Sequence, residues 1–187
     1  MIIIIGLGNP EPKYKNTPHN IGFEILEKFA RKNKFPDFSL MKKVHSLVSE
    51  KKTEKEKIIL LKPLTFMNRS GKAVKAAIGF WKVSKEKTII VHDDIDLPLG
   101  KIRIVKNRGS AGHKGIESII QETKSKQFVR VRIGVKPETE VKDPEKFVLQ
   151  KLSRPKGIEG IKEKAAEVIS EIIEKGAEQA MNSCNSL

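Results

Sequence analysis

A histidine and a group of aspartates stand where they could carry out acid–base chemistry. His19 comes after a short apolar strand and a glycine-lined turn, immediately before a predicted helix. An imidazole has a reference pKa of about 6.5, so it can accept a proton near neutral pH, and a nearby carboxylate fixes its tautomer and stabilises the imidazolium. We expect Asp93 to be that carboxylate, because open α/β sheets usually build their sites where an inner strand ends. Asp94 and Asp96 are the alternatives.

Other kinds of chemistry have fewer candidate residues. No serine lies in a Gly-x-Ser-x-Gly turn, and the one cysteine, Cys184, falls in a segment that the sequence predicts to be a polar tail. The histidines lack the close helical spacing of a hydrolytic zinc site. Gly6 and Gly8 follow a strand as in a dinucleotide-binding turn, but Glu11 replaces the third glycine of that motif. We therefore expect water to be the nucleophile, without a metal or a cofactor.

Two further segments add groups that could bind a substrate. The glycine turn would carry Asn9 into a cleft beside the histidine. Phe66 and Met67 stand just before a predicted helix, where they either pack against its first turn or offer an apolar contact to a substrate. Asn68 is suited both to capping that helix and to hydrogen bonding with a substrate.

The elements that must position these residues alternate between strands and helices. The charged segment 51–56 predicts a hairpin loop, which makes the sheet mixed. We predict one domain over residues 1–187, a three-layer α/β/α sandwich with a twisted mixed sheet. Apolar patterns predict strands at residues 2–5, 44–49, 57–61, 88–91, 102–104 and 129–135, and helices at 21–32, around 73–81, around 113–120 and from 158 to 172.

The composition restricts the partner and the compartment. A formal charge of +14, from 37 Lys and Arg against 23 Asp and Glu, indicates a polyanionic partner, with nucleic acid the leading candidate. A lysine-rich solubilising surface is the alternative. A single cysteine forms no internal disulfide, and the apolar run at residues 2–5 is too short for a signal peptide or a membrane span. We expect a cytoplasmic protein that needs no membrane and no more than a monomer.

Four separated blocks of the sequence resemble the bacterial-type peptidyl-tRNA hydrolase family, and together they extend over nearly the whole chain. That resemblance implies hydrolysis of the ester between a peptide and the terminal ribose of tRNA, which recycles tRNA from prematurely released peptidyl-tRNA. The blocks are Gly6-Leu7-Gly8-Asn9-Pro10 with Tyr14, Thr17, His19 and Asn20; residues 62–71; His92-Asp93-Asp94 through Gly100; and Gly109-Ser110-Ala111-Gly112-His113 with residues 128–134.

The resemblance also implies roles for the polar residues of the cleft. His19 would be the general base that activates water, and Asp93 would orient the imidazole and raise its basicity. Asn9 and Asn68 would hold the peptide and the attacking water, and the amide of Asn68 could polarise the ester carbonyl.

Further residues would bind the two ends of the substrate. By the same resemblance Tyr14 and Phe66 would line the cleft around the scissile bond, with Met67 beside them. Arg132, together with Lys106 or Arg108, would clamp a tRNA phosphate, because a guanidinium fork suits phosphate oxygens.

Three positions depart from the family pattern. Pro18 replaces an arginine, Glu11 replaces a glycine, and Lys114 stands where the family has a substrate-binding asparagine. Lys114 supplies a cation with three donors and no acceptor, so it could bind a phosphate or a developing oxyanion but could not copy both faces of an amide. The departures leave a non-catalytic RNA-binding relative of the same fold as the alternative function.

Overall fold

A single mixed sheet forms the centre of the computed structural model, which describes residues 1–151 and 157–186. Seven strands in these ranges pair in the order β2-β3-β4-β1-β5-β7-β6. The strands are β1 (Ile2–Gly6), β2 (Ser39–Met41), β3 (Ser46–Lys52), β4 (Lys57–Pro63), β5 (Thr88–Pro98), β6 (Ile102–Lys106) and β7 (Val129–Lys136).

The middle of the sheet is parallel and its edges are antiparallel. β1 pairs in parallel with β4 and β5, and β5 pairs in parallel with β7. β2, β3 and β6 pair antiparallel with their neighbours, and β3 and β4 form the predicted hairpin. Every residue of β1 is buried, which explains its unbroken apolar run, since parallel strands are covered on both faces.

Helices cover both faces of the sheet, and the predicted three-layer α/β/α arrangement is confirmed. Ile2 and Ile4 pack with α1, α5 and α6 on one face, whereas Ile3 and Ile5 pack with α2 and α3 on the other. None of the helices in the described ranges combines the length and apolarity needed to cross a membrane. The helices are α1 (Ile21–Lys32), α2 (Ser70–Trp81), α3 (Lys114–Thr123), α4 (Pro144–Phe147), α5 (Ile158–Lys175) and α6 (Ala177–Asn185).

A close approach between two glycines seats the first helix against the sheet. A Cβ atom added to Gly6 would lie 2.3 Å from the carbonyl oxygen of Gly22, so a side chain there would push α1 away from the end of β1. The 3-10 turn Pro18–Asn20 leads directly into α1. The glycine pair therefore sets how near His19 comes to the strand ends.

The predicted strands differ from the structure at their ends, most of all for β5 and β3, and β2 was not predicted. β5 continues to Pro98 rather than ending at Val91, because β7 keeps pairing with it as far as Lys136, with an irregularity between Asp94 and Pro98. β1 ends at Gly6, opposite Val91, so Asp93 still lies beyond the end of the central strand. Val44 belongs to a 3-10 turn before β3 rather than to the strand itself.

The C-terminal segment is helical, so the prediction of a polar tail there is wrong. Gly176, with φ 88°, ends α5, and α6 follows at once. Cys184 is buried on α6 rather than exposed in a tail. The Asn185 side chain accepts a hydrogen bond from the backbone nitrogen of Ile104 and donates one to its carbonyl oxygen. These bonds satisfy backbone groups on the free edge of β6 and hold α6 against it.

Candidate active site

An open cleft of about 890 Å³ lies beyond the carboxyl ends of β1 and β4, beside the part of β5 that continues past them. Its position agrees with the rule that α/β sheets bind ligands beyond the carboxyl ends of their strands. Most of the residues singled out in the sequence line this cleft. The lining residues are Asn9, Tyr14, His19, Phe66, Met67, Asn68, Arg69, Asp93, Asp94, Ile95, Ala111, Gly112, His113, Lys114, Pro144, Glu145, Val148 and Leu149.

Asp93 lies between two histidines at the base of the cleft. Its Oδ2 is 2.8 Å from Nδ1 of His19, and its Oδ1 is 2.9 Å from Nε2 of His113. The Asp93 residue is only 2% exposed. The structure thus brings the predicted carboxylate to the predicted base. It places Asp94 against Arg132 and leaves Asp96 exposed.

Hydrogen bonding to the second histidine determines where the protons lie. Nδ1 of His113 accepts from the backbone nitrogens of Gly115 and Ile116 at the start of α3. His113 therefore carries its proton on Nε2 and donates it to one oxygen of Asp93. The other oxygen accepts from Nδ1 of His19, which leaves Nε2 of His19 with a free lone pair. This is the tautomer that a general base requires.

The surroundings keep Asp93 ionised. Burial alone would raise the pKa of Asp93, but the neighbouring His19 and His113 rings and their hydrogen bonds hold it well below its usual value. The backbone carbonyl of Asp93 accepts a hydrogen bond from Nδ1 of His92. His92 is fully buried, and that burial, reinforced by nearby His113 and Arg130, lowers its pKa well below the ordinary value. His92 is therefore a neutral support beneath the carboxylate.

Hydrogen bonds to two other segments of the chain, at Asn20 and Met67, hold Asn9 in place. Its backbone nitrogen donates to Oδ1 of Asn20, and its carbonyl oxygen accepts from Nδ2 of Asn20. Its side-chain oxygen accepts from the backbone nitrogen of Met67. Among the described residues no partner binds Nδ2 of Asn9, so this amide donor is free to bind a substrate oxygen. Asn9 also joins the turn after β1 to the turn after β4.

The segment at residues 66–68 contributes both a buried and an exposed apolar side chain to the lining of the cleft. Met67 is buried, whereas Phe66 is 45% exposed at the edge of the cleft. Asn68 lies in the 3-10 turn Met67–Arg69, and its side chain does not cap α2, so the capping prediction is wrong. The position preceding α2 is instead taken by Arg69. The exposed amide of Asn68 remains available to the cleft, and Tyr14 lines the same space.

The opposite wall combines Lys114 with residues 144–149, which sequence analysis did not single out as site residues. Lys114 stands at the first position of α3, with its Nζ 3.4 Å from Oε1 of Glu145 on α4. The carbonyl oxygen of Val148 accepts from the backbone nitrogen of His19 and so ties this wall to the turn that bears the base. Leu149 is 41% exposed beside it. These contacts make residues 144–149 one side of the cleft.

The predicted phosphate-binding residues do not form one cluster with the histidines. Arg132 lies on β7, and its Nε donates to Oδ2 of Asp94. In the described ranges no other nitrogen of that guanidinium has an acceptor, so its terminal groups remain available to a phosphate. Lys106 ends β6, and Arg108 follows in the loop that leads to His113; both are exposed.

The same histidines and carboxylate are the residues that could hold a metal. Ligand atoms of His19, Asp93 and His113 lie within 4.8 Å of one another. Of the six nitrogen and oxygen atoms that these side chains could offer, five are already paired in hydrogen bonds, and a metal bound by all three residues would have to replace some of these bonds. As it stands, the arrangement can take a proton from a water molecule at Nε2 of His19 and stabilise the resulting imidazolium through Asp93.

His113 is the main functional residue that sequence analysis missed as a site residue. Its sequence position, just before a predicted helix, indicated only a helix start. The signal that could have found it is the pairing of a helix N-cap position with an imidazole, whose second nitrogen can reach a carboxylate while the first caps the helix.

Comparison with known proteins agrees with the fold and the cleft. The family model described as "Peptidyl-tRNA hydrolase" matches residues 3–187. A peptidyl-tRNA hydrolase of a Thermoanaerobacter species is 46% identical over 188 residues, which cover 99% of this chain and all of that protein. The crystal structure of peptidyl-tRNA hydrolase from Acinetobacter baumannii is 30% identical and superposes with a TM-score of 0.87 over 99% of this chain and 94% of its own. The chain belongs to the peptidyl-tRNA hydrolase family.

Proposed function

We propose that this chain hydrolyses the ester bond that joins a peptide to the terminal ribose of tRNA, with His19 as the general base. Family membership supports the activity. The observation that supports the mechanism is the Asp93 carboxylate, which holds Nδ1 of His19 so that Nε2 is free to accept a proton. A proton acceptor fixed in this tautomer beside an open cleft suits a reaction in which water attacks an ester.

The reaction follows from these positions. Nε2 of His19 removes a proton from water as the water oxygen bonds to the ester carbonyl carbon. The imidazolium that forms is stabilised by the ionised Asp93. When the tetrahedral intermediate collapses, the bond to the ribose oxygen breaks and the imidazolium returns the proton to that oxygen. The products are a peptide with a free carboxyl group and a tRNA with a free terminal hydroxyl.

Amide groups in the cleft position the reacting ester. We assign the Nδ2 groups of Asn9 and Asn68 to the peptide carbonyl and the attacking water, because both are free donors that line the cleft. The fixed backbone around Asn9 keeps its donor in place before the substrate arrives, which is what makes such a group effective in the transition state. Tyr14, Phe66 and Met67 would contact the apolar part of the peptide and the terminal nucleotide.

Cations near the cleft would bind the tRNA part of the substrate. Arg132, with Lys106 or Arg108, is assigned to phosphates, and Lys114 to a phosphate or the developing oxyanion. We expect a monomer to suffice. Its work on released peptidyl-tRNA would place it in the cytoplasm.

The activity is tested by incubating the purified chain with N-acetylated aminoacyl-tRNA and with the unblocked form, with and without a chelator. We expect repeated turnover of the blocked substrate alone, unchanged by the chelator. Loss of turnover in the chelator would show that a metal takes part. Tight tRNA binding without cleavage would favour the RNA-binding alternative over the enzyme.

The base is tested by substituting His19 with alanine. Because the variant lacks the proton acceptor but keeps the cations, kcat should fall by roughly 10²- to 10⁴-fold while tRNA affinity stays nearly unchanged. His45→Ala is the matched control, since His45 is exposed and outside the cleft. Full turnover by the His19 variant would contradict the assignment.

A further inference from the structure

Two segments of the chain contain cations but no acidic residues. Between Glu56 and Glu86 the sequence contains seven lysines and arginines but neither aspartate nor glutamate. The segment between Asp37 and Glu50 contains Lys42 and Lys43 and is likewise free of acidic residues. Cations in the interior of these two segments, away from Glu56 and Glu86, therefore have no acidic neighbour along the chain.

The fold brings these two segments together at the edge of the cleft. The 3-10 turn Lys42–Val44 packs against α2. Lys42 and Lys43 are exposed on this turn, and Arg69 and Lys72 are exposed at the start of α2. Among the described residues no carboxylate pairs with any of these four cations. The neighbouring Lys62 and Lys75 are paired, with Glu27 and Glu122 respectively.

An exposed aromatic ring continues the same face of the helix. Phe80 lies eight residues after Lys72, so the two side chains fall on one i, i+4 row of α2. The Phe80 residue is 48% exposed and its ring contacts Trp81 edge to face, with centroids 4.9 Å apart. We use the name α2 surface for Lys42, Lys43, Arg69, Lys72 and Phe80.

We propose that the α2 surface binds the sugar–phosphate backbone of tRNA beyond its acceptor end. The proposal rests on the proposed function, because it treats the same substrate as extending out of the cleft. Arg69 lines the cleft itself, so the surface is continuous with the site where the ester would be cleaved. Unpaired lysines and arginines release counterions when they meet phosphates, and an exposed aromatic ring among them can stack on a base or a ribose.

The dimensions of the surface suit a run of phosphates. Phe80 lies eleven positions after Arg69, and at 1.5 Å per residue the helix extends about 16 Å between them. Phosphates along one strand of B-form DNA are spaced about 3.4 Å apart in axis length, and those of an A-form RNA strand more closely, so this distance covers about five of them or more. A solubilising surface needs no such continuity with a cleft.

The α2 surface lies on the other side of the cleft from Arg132. In the sheet order the turn at residues 42–44 adjoins β3, whereas Arg132 is on β7, four strands away. At about 4.8 Å per strand these positions are about 19 Å apart. Contacts on both sides would restrict the orientation in which the acceptor end enters the cleft.

The test compares two substrates with the triple variant Lys42→Gln, Lys43→Gln and Lys72→Gln. One substrate is full-length N-acetylaminoacyl-tRNA. The other is the trinucleotide CCA with the same N-acetylaminoacyl ester, which is too short to extend from the cleft to the three lysines that are changed. Glutamine keeps most of the side-chain length and removes the charge. The control variant changes Lys34, Lys52 and Lys55 to glutamine, because these exposed lysines lie at the end of the sheet opposite the cleft.

We expect the triple variant to lose roughly tenfold or more in kcat/KM on full-length tRNA, with a shallower salt dependence, and to keep its rate on the trinucleotide. The control should lose much less kcat/KM on full-length tRNA than the triple variant and should also keep its rate on the trinucleotide. An equal loss in both lysine variants would mean that only overall charge matters and would overturn the proposal. Unchanged kcat/KM on tRNA, or an equal loss on both substrates, would also overturn it. Failure of the wild-type chain on both substrates would instead contradict the proposed hydrolase activity.

Discussion

At the scale of single residues, the site depends on which nitrogen of each histidine bears the proton. His113 accepts two backbone N–H groups at Nδ1 and must therefore donate from Nε2 to Asp93. Asp93 is thereby left with one oxygen to receive the proton on Nδ1 of His19. The start of α3 thus fixes the tautomer of the base through two hydrogen bonds and one carboxylate.

Two substitutions of His113 separate its two contacts. Asparagine is a good helix N-cap but is too short to reach Asp93, whereas glutamine can present a donor at about the distance of Nε2 without a good capping acceptor. His113→Asn should lower kcat about tenfold with stability retained, because Asp93 loses a donor. His113→Gln should keep more of the activity and lose about 1 kcal/mol of stability.

Steady-state kinetics over a range of pH and urea denaturation of both His113 variants test this separation. If the role is positioning, the pH profile of kcat should shift in the asparagine variant and recover toward wild type in the glutamine variant. Parallel losses of activity and stability in both variants would mean that His113 acts only by capping α3.

The burial of His92 makes the free energy of unfolding depend on pH. Burial above all, with His113 and Arg130 nearby, lowers its pKa in the folded chain, whereas the unfolded chain binds a proton near the reference pKa of about 6.5. The unfolded state therefore gains protons first as pH falls. The contribution of His92 to the free energy of unfolding is therefore complete above about pH 6.5 and decreases below it, by up to about 1.4 kcal/mol per pH unit.

Urea denaturation between pH 7.5 and 5 measures this effect in the wild type and in His92→Gln. Glutamine keeps a donor for the carbonyl oxygen of Asp93 but does not titrate. The wild type should therefore lose more stability than the variant as the pH falls through 6.5. Identical slopes would mean that His92 does not stay neutral in the folded protein.

At the scale of secondary-structure elements, the C-terminal helix completes the free edge of the sheet. Asn185 on α6 bonds to both backbone groups of Ile104 on β6. Asn185→Ala should lower the free energy of unfolding by roughly 1 to 3 kcal/mol, since it leaves two backbone groups without their partners. Asn182→Ala, at an exposed position of the same helix, is the matched control in urea denaturation. Equal stability of the two variants would contradict this role for Asn185.

Sequence patterns predicted the elements whose signals are local. The apolar spacing gave α1 its observed bounds, and the charged segment 51–56 marked the hairpin between β3 and β4. The end of β5 was placed wrongly, because its continuation depends on pairing with β7, which lies far along the chain. α6 was missed for the same reason, since its polar residues are explained by contact with β6.

The site was predictable in its identities and less so in its contacts. His19 and Asp93 are 74 residues apart, and only the packing of the turn before α1 against β5 brings them to 2.8 Å. The pairing of Asp94 with Arg132, the hydrogen bond of His113 to Asp93 and the ion pair of Lys114 with Glu145 each join separate segments. Residue types and motifs indicated chemistry, but which group faces which depends on tertiary packing.

At the scale of the whole molecule, the cations behind the net charge of +14 fall into two groups, those that pair with a carboxylate and those that do not. Ion pairs such as Lys28 with Glu163 and Lys32 with Glu167 join α1 to α5. The carboxylates neutralise part of the positive charge in these contacts. Such exposed pairs contribute little stability individually. Cations around the cleft without a carboxylate partner remain to attract a polyanion and should make association depend steeply on salt.

Arg132 tests this division, because it has both a structural and a binding contact. Its Nε donates to Asp94, which is 7% exposed, while its terminal nitrogens remain for a phosphate. Arg132→Ala should weaken tRNA binding and reduce the slope of log K against log salt by about 0.9, the value for one duplex phosphate contact. Arg132→Lys should keep the slope while losing affinity, because an ammonium retains the charge but not the fork.

Binding isotherms for tRNA at several salt concentrations give these slopes, and urea denaturation of each variant measures the cost of leaving Asp94 without its partner. If Arg132→Ala keeps the wild-type salt slope, Arg132 contacts no phosphate and its charge serves Asp94 alone. A slope reduced in alanine and restored in lysine would require a phosphate within reach of β7. That result would fix one side of the tRNA, against which the contribution of the α2 surface on the other side could be measured.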